Sequence, residues 1–269
     1  MRTRDEMAKP AADDPIRNLA TRRAIAATRG EKVSRTVARL VARSIADDGL
    51  SPGASLPSEQ EMAKNFGVGR ASVREGLRLL EAQGLVTVRQ GLGGGPSVAE
   101  PTGAAFGDTM SMYLQANDIR FAEVVEAVIE MEGLTAALAA GKVAGGDVDP
   151  DLLRSLELED HDNASNREFI EQSLGFHDTL RQLAGNYPIA LMASALAHLY
   201  SDRALGFHAS EWSEMERGAF DDQHAVIARA VLAGDVDGAR SLAVAHMRES
   251  VTMVLGENPT INQDRVDWK

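Results

Sequence analysis

The chain has 269 residues, 44% of them hydrophobic, no cysteine and a formal net charge of −12. This composition builds a core and excludes a disordered chain, the length fits two ordinary domains, and the missing thiols exclude disulfides, thiolate metal sites and cysteine nucleophiles. The charge is unevenly divided, with a balance of +5 over residues 1–99 and −17 over residues 100–269, so the first half is the one suited to meet a polyanion.

Residues 1–28 are polar and broken, without the apolar stretch of a secretory signal, and are expected to form a flexible arm. No run of about 18 apolar residues follows, so no membrane span is expected and the location is read as cytoplasmic. From about Glu31 to Asp48, Val33, Val37, Leu40, Val41 and Ile45 recur at helical spacing. A connection rich in Gly and Pro leads to Ser58-Glu59-Gln60-Glu61, a capping box that opens a short helix with Met62, Ala63 and Phe66 inward and Gly67 at its end. A second short helix, about Arg70 to Gln83, carries the stripe Val73, Leu77 and Leu80. Leu85 to Arg89 alternates as a strand, Gly91 to Pro96 reads as a loop tip, and Ser97 to Ala99 reads as the returning strand. Residues 29–100 therefore predict a helix-turn-helix with a β wing.

A linker is expected over Pro101 to Gly107. Beyond it the pattern is helical throughout, at about 108–116, 119–141, 150–161, 165–184, 188–209, 217–233 and 235–255, with breaks at Gly145-Gly146, Gly185 to Pro188 and Gly234-Asp235. Ser165 to Glu168 reads as another capping box. The acidic run at 157–160 reads as a solvated face. The fold class is mainly α: an N-terminal winged helix-turn-helix followed by an all-helical bundle over residues 108–255, with residues 256–269 as a frayed tail.

The stretch LPSEQEMAKNFGVGRASVREGLRLLEAQGLVTVRQG, Leu56 to Gly91, resembles the DNA-binding signature of GntR-family regulators. Four later segments, residues 123–140, 169–188, 221–235 and 239–250, resemble the FadR-like subgroup and its FCD sensor domain. The resemblance implies a homodimer that places two recognition helices in successive major grooves of double-stranded operator DNA. It makes Arg70 and Arg74 the base readers, and their spacing of four puts them on one helix face, where an arginine bridges guanine O6 and N7. Ser72 is placed to reach phosphate or base. Gln60 and Gly69 stand at family contact positions where relatives often carry Arg and a hydroxyl residue, which points to a different operator sequence. Gly91, flanked by Arg89 and Gln90, would let the wing backbone approach DNA, and Lys32, Arg35 and Arg39 add phosphate attraction.

In the second domain His177, His224 and His246 fall on or beside the inward stripes of three helices. Three neutral imidazoles form a competent site for Zn²⁺ or Ni²⁺, and the resemblance implies the same set plus an Asp. At that Asp position the sequence has Ser173, which leaves a ligand position for water or an effector carboxylate. Where relatives that bind carboxylic acids carry an Arg, the register gives Val128, and Arg203 is the nominated replacement. The expected effector is an organic acid or a more apolar metabolite; Met110, Met112, Met131, Met192 and Met247 are candidates for pocket lining, although Met at helical spacing is more often core filler. The function expected is that of a ligand-controlled regulator that represses until effector binds, and not an enzyme, since no serine elbow, phosphate loop or fixed general base is present. A metal-dependent enzyme built on the three histidines and an architectural DNA-binding protein without effector are the alternatives.

Overall fold

The computed structural model describes residues 32–91, 94–154, 156, 166–208, 213–255, 260 and 263–267. The expected arm, the Ser165 capping box, the acidic run at 157–160 and the 155–161 end of the predicted 150–161 helical stretch lie outside or mostly outside these residues. Contacts divide the chain into two compact units between Pro101 and Thr102.

In the first unit, α1 is Val33–Asp47, α2 Glu59–Phe66 and α3 Arg70–Ala82, followed by β1, Val86–Arg89, and β2, Gly95–Val98. Ser58 caps α2 as its motif requires: its Oγ accepts the Glu61 N–H at 3.3 Å, while Glu61 Oε2 accepts the Ser58 N–H at 2.8 Å. Val37 and Val41 from α1, Met62 and Phe66 from α2, and Val73, Leu77 and Leu80 from α3 close one core with Val86 and Val98 of the ribbon. That core fixes α3 with Arg70 and Arg74 outward. The crossing of α1 on α3 is tight at Gly76, where a Cβ would lie 2.8 Å from Val37 Cγ1 and 2.9 Å from the Ser34 carbonyl oxygen. Gly76→Ala is expected to cost about 1–3 kcal/mol, read as a lower urea midpoint with an unchanged slope, because a backbone oxygen has to move.

The ribbon departs from expectation at its second strand. Gly95 and Pro96, read as loop tip, are paired residues, opposite Arg89 and Val88 in an antiparallel register that continues Thr87 with Ser97 and Val86 with Val98. Proline fits because it has no N–H to give while its carbonyl accepts the Leu56 N–H at 2.9 Å.

The second unit is helical: α4 Gly103–Ala116, α5 Phe121–Gly145, α6 Pro150–Arg154, α7 Asn166–Leu183, α8 Tyr187–His208, α9 Glu214–Leu232 and α10 Val236–Leu255. The predicted linker to Gly107 is corrected here. Helix α4 starts at Gly103, with the Thr102 Oγ1 accepting the Ala105 N–H. Its glycines allow a close approach to α8, since a Cβ on Gly103 would fall 2.3 Å from Ser194 Cβ. Helix α5 packs against α7, α8, α9 and α10. Its first half, Phe121, Val124, Val125 and Val128, joins a cluster with Tyr200, Met247 and Val266. Its second half, Ala136, Ala139 and Ala140, joins another with Phe176, Leu180, Ile227 and Val231. Glu132 lies between these two stretches and is only 2% exposed.

The expectation of a frayed tail is also corrected, for its described part. The Phe121 N–H donates to the Asp264 carbonyl at 2.8 Å, the Val266 N–H donates to the Ile119 carbonyl at 3.0 Å, and Val266 is buried. One apolar residue and two backbone hydrogen bonds thus dock this segment at the α4–α5 corner.

Candidate nucleic-acid interface and metal centre

Helix α3 presents Arg70 and Arg74 in its first turn and a half, both exposed, with Ser72 half-buried beside them. Gly69 occupies the N-cap position and Gln60 is exposed on α2, preceded by Glu59. Arg74 is already engaged: its Nε donates to Glu59 Oε1 at 3.1 Å and its Nη2 donates to Glu59 Oε2 at 2.7 Å. This fork uses one edge of the guanidinium and leaves Nη1 and one Nη2 proton for another acceptor. Arg74 holds the Glu59 carboxyl below its usual value. Arg70 has no ion-pair partner among the described residues.

A groove of about 610 Å³ runs between α3 and the ribbon, walled by Glu59, Arg74 and Arg78 on one side and Arg89, Gln90 and Gly91 on the other. Gly91 has φ 102°, in the left-handed region. Gly94 turns so tightly that a Cβ would lie 2.4 Å from the Arg89 carbonyl oxygen. Both positions need glycine to bring the wing tip around. Lys32, Arg35 and Arg39 are exposed along α1.

In the helical unit, α7, α9 and α10 bring His177, His224 and His246 together, with one ligand atom from each lying within 4.8 Å of the others. The Nε2 atoms of His224 and His246 are 3.0 Å apart. The rings of His177 and His224 meet edge-on at 5.2 Å, Phe176 stacks on His224 at 4.3 Å, and Phe220 meets His246 edge-on. The outer nitrogens are occupied: His177 Nδ1 lies 2.9 Å from Glu132 Oε2, and His246 Nδ1 lies 2.7 Å from Gln223 Oε1. A carboxylate and an amide carbonyl accept only, so both rings donate from Nδ1 and turn Nε2 toward the interior. The donor set fits a borderline divalent cation such as Zn²⁺ or Ni²⁺, held by three imidazoles.

Electrostatics agree with a neutral His246. Burial pushes His246 down to about 3, His177 adding to the effect and Glu132 opposing it. Burial alone would raise Glu132, but Arg181 and His177 outweigh it and hold the carboxyl at about 2. His246 therefore contributes stability that is complete above the unfolded histidine value near 6.5 and is lost as pH falls from there toward 3. In metal-free protein, unfolding free energy is expected to drop by up to about 1.4 kcal/mol per pH unit below pH 6 from this proton, and urea titrations of wild type and His246→Gln at pH 7 and 5 isolate it.

Other nominated residues stand elsewhere. Val128 is 2% exposed and belongs to the apolar cluster of Phe121 and Tyr200, so it is core. Arg203 pairs with Asp264 of the docked C-terminal segment, which takes the charge meant for an effector. Met112 and Met192 are exposed, whereas Met247 is core. Ser173 is half-buried on α7, one turn before His177. Sequence reading missed Glu59, Glu132, Arg181 and Gln223 as site residues. Only Glu59 had a visible signal, its place in the capping motif facing α3.

Residues 33–94 match the family described as bacterial regulatory proteins, gntR family, and residues 123–249 match the FCD domain. An HTH-type transcriptional regulator in an unstable DNA locus of Streptomyces ambofaciens is 32% identical over 204 residues, covering 74% of this chain and 75% of the relative. The chain belongs to the GntR family of transcriptional regulators and carries an FCD domain. An HTH-type regulator of Mycobacterium tuberculosis is similar to this GntR-family protein at 28% identity over 228 residues, 82% of this chain and 88% of the other. The HTH-type transcriptional repressor NanR of an Enterobacter species shares 28% identity over 159 residues, 58% of this chain and 60% of its own. Among solved structures, a Streptococcus agalactiae GntR protein has the same fold, with a TM-score of 0.54 at 20% identity over 81% of this chain and 98% of that one. No described helix is long and apolar enough to cross a membrane.

Proposed function

We propose that this GntR-family regulator acts as a cytoplasmic homodimeric repressor whose hold on operator DNA is set by a divalent metal and a small organic acid in its helical domain. The domains in this reading are the winged helix-turn-helix of residues 29–100 and an effector and dimerisation domain that begins at Thr102 and takes in the docked segment around Val266. Arg70 and Arg74 read guanine edges, Ser72, Gln60 and Gly69 flank them, and Arg89, Gln90 and Gly91 carry the wing to the adjacent groove or phosphates. The observation that carries the DNA half is the outward pair of arginines on a helix locked by its own apolar stripe, beside a groove and a glycine-tipped ribbon. The name repressor follows the NanR relative.

The metal would sit on His177, His224 and His246, and bound there it supplies a Lewis-acidic centre with a free position for an anionic oxygen. Ser173, unable to serve as an anionic ligand, leaves that position open. Glu132 has both carboxylate oxygens engaged, by His177 and Arg181. It is therefore poorly placed as a general base, which supports a binding site over a hydrolytic one. An effector that prefers one arrangement of the dimer shifts operator affinity by its differential binding. Operator binding with and without Zn²⁺ and a panel of small carboxylates tests this: an affinity shift of about 5-fold to 150-fold is expected with one of them, and affinity indifferent to every addition refutes control by this site.

A further inference from the structure

We propose that Glu132 and Gln223 are the positioning residues of the histidine cluster, and that the buried Glu132–Arg181 ion pair exists to hold His177 as an Nε2 ligand. The inference rests on the metal reading above and adds the groups that set the ligands' proton and direction.

Glu132 comes from α5, 45 residues from His177, and its two oxygens divide between the imidazole and the guanidinium. Arg181 is 6% exposed and its second terminal nitrogen donates to Asp178 at 2.6 Å, so the chain runs from His177 through Glu132 and Arg181 to an exposed carboxylate. Arg181 Nε is buried with no partner, which marks the pair as costly to bury. Buried ion pairs are often replaceable by apolar side chains of similar size without loss of stability. The charged pair is explained by what it does to the ring: a carboxylate locked by an arginine cannot rotate away from the Nδ1 proton.

His246 repeats the arrangement with a neutral partner. Gln223 turns its carbonyl to Nδ1 because its amide nitrogen donates to Glu249 Oε2 at 2.6 Å, which fixes which end of the amide faces the ring. Two rings on different helices are thus each held by an outer group that is itself held by a charged one. Both supports put the imidazole proton on the side away from the cluster.

Long-range nitrogen NMR of the metal-free full-length protein at neutral pH reads the tautomers without a mutation. His177 and His246 are expected as Nδ1–H with unprotonated Nε2, and Nε2–H at either ring overturns the assignment. Zn²⁺ affinity, by competition with a chromophoric chelator, adds the second readout. Gln223→Ala and the charge-neutral double variant Glu132→Gln, Arg181→Met are each expected to bind Zn²⁺ roughly 10-fold to 100-fold more weakly. Either variant, folded by its thermal transition and binding Zn²⁺ as wild type does, refutes the positioning role. If the double variant does not fold, the Gln223 variant and the tautomers decide. Wild type that binds no Zn²⁺ refutes the metal reading, while the tautomers still test the hydrogen-bond assignment.

Discussion

Replacing Arg70 and Arg74 together with alanine is expected to erase sequence-specific DNA binding while leaving the fold intact. Both side chains are outside the core formed by Val73, Leu77 and Leu80, so their removal opens no cavity. Each bidentate hydrogen-bonded pair with a guanine is worth about 1–3 kcal/mol, so the two arginines account for roughly 30-fold to 10⁴-fold in affinity for the operator. The salt dependence separates this from simple loss of charge. Hydrogen bonds to base edges release few counterions, so the slope of affinity against salt stays near wild type in the double variant. Replacing Lys32, Arg35 or Arg39, by contrast, weakens all duplexes alike and lowers that slope by about one for each phosphate that is no longer neutralised. Fluorescence anisotropy at several salt concentrations, with specific and scrambled duplexes, makes the distinction. Glu59 refines it: with one edge of Arg74 clamped, the other edge is presented with less freedom to lose.

The second large effect concerns the helical domain. Zn²⁺ at about 100 times its dissociation constant stabilises a folded site by about 2.7 kcal/mol. In a domain of this size that corresponds to a rise of roughly 5–11 °C in the thermal midpoint. Wild type treated with a chelator is expected to lose this increment and regain it on addition of Zn²⁺. His224→Ala is expected to lose the metal response altogether and also to be less stable without metal, since His224 is 2% exposed and its ring stacks on Phe176. Differential scanning calorimetry on the two proteins, each with and without metal, tests both parts. A variant whose midpoint still rises with Zn²⁺ contradicts the ligand assignment.

What could be read before the structure was what local sequence encodes. The Ser58–Glu61 box and the stripe of α3 are interactions within one or two turns, so residue spacing states them directly. The three histidines could be grouped because each sits on an apolar stripe, and stripes of neighbouring helices converge. Glu132 could not be found this way: its partners lie 45 and 49 residues away on another helix, and nothing local sets it apart from Glu123, Glu126 and Glu130 on the same helix. The start of α4 was missed because Gly103 and Gly107 are poor helix formers, and only their close approach to α8 explains them. Pro96 reads as a turn in sequence because its carbonyl partner, Leu56, lies far earlier in the chain, in the connection before α2. The docking of Asp264 to Val266, and with it the capture of Arg203, likewise depends on residues more than 60 positions away or at the far end of the chain.

The most direct test of the whole account is the affinity of the full-length protein for duplexes tiling the DNA upstream of its own gene, measured in Zn²⁺-loaded and chelator-treated states across a salt series. Saturable, salt-dependent binding to at least one duplex is expected, well above that to its scrambled version and different between the two states. Equal attachment to specific and scrambled duplexes would contradict readout by α3, and one affinity common to both metal states would contradict control by the histidine cluster.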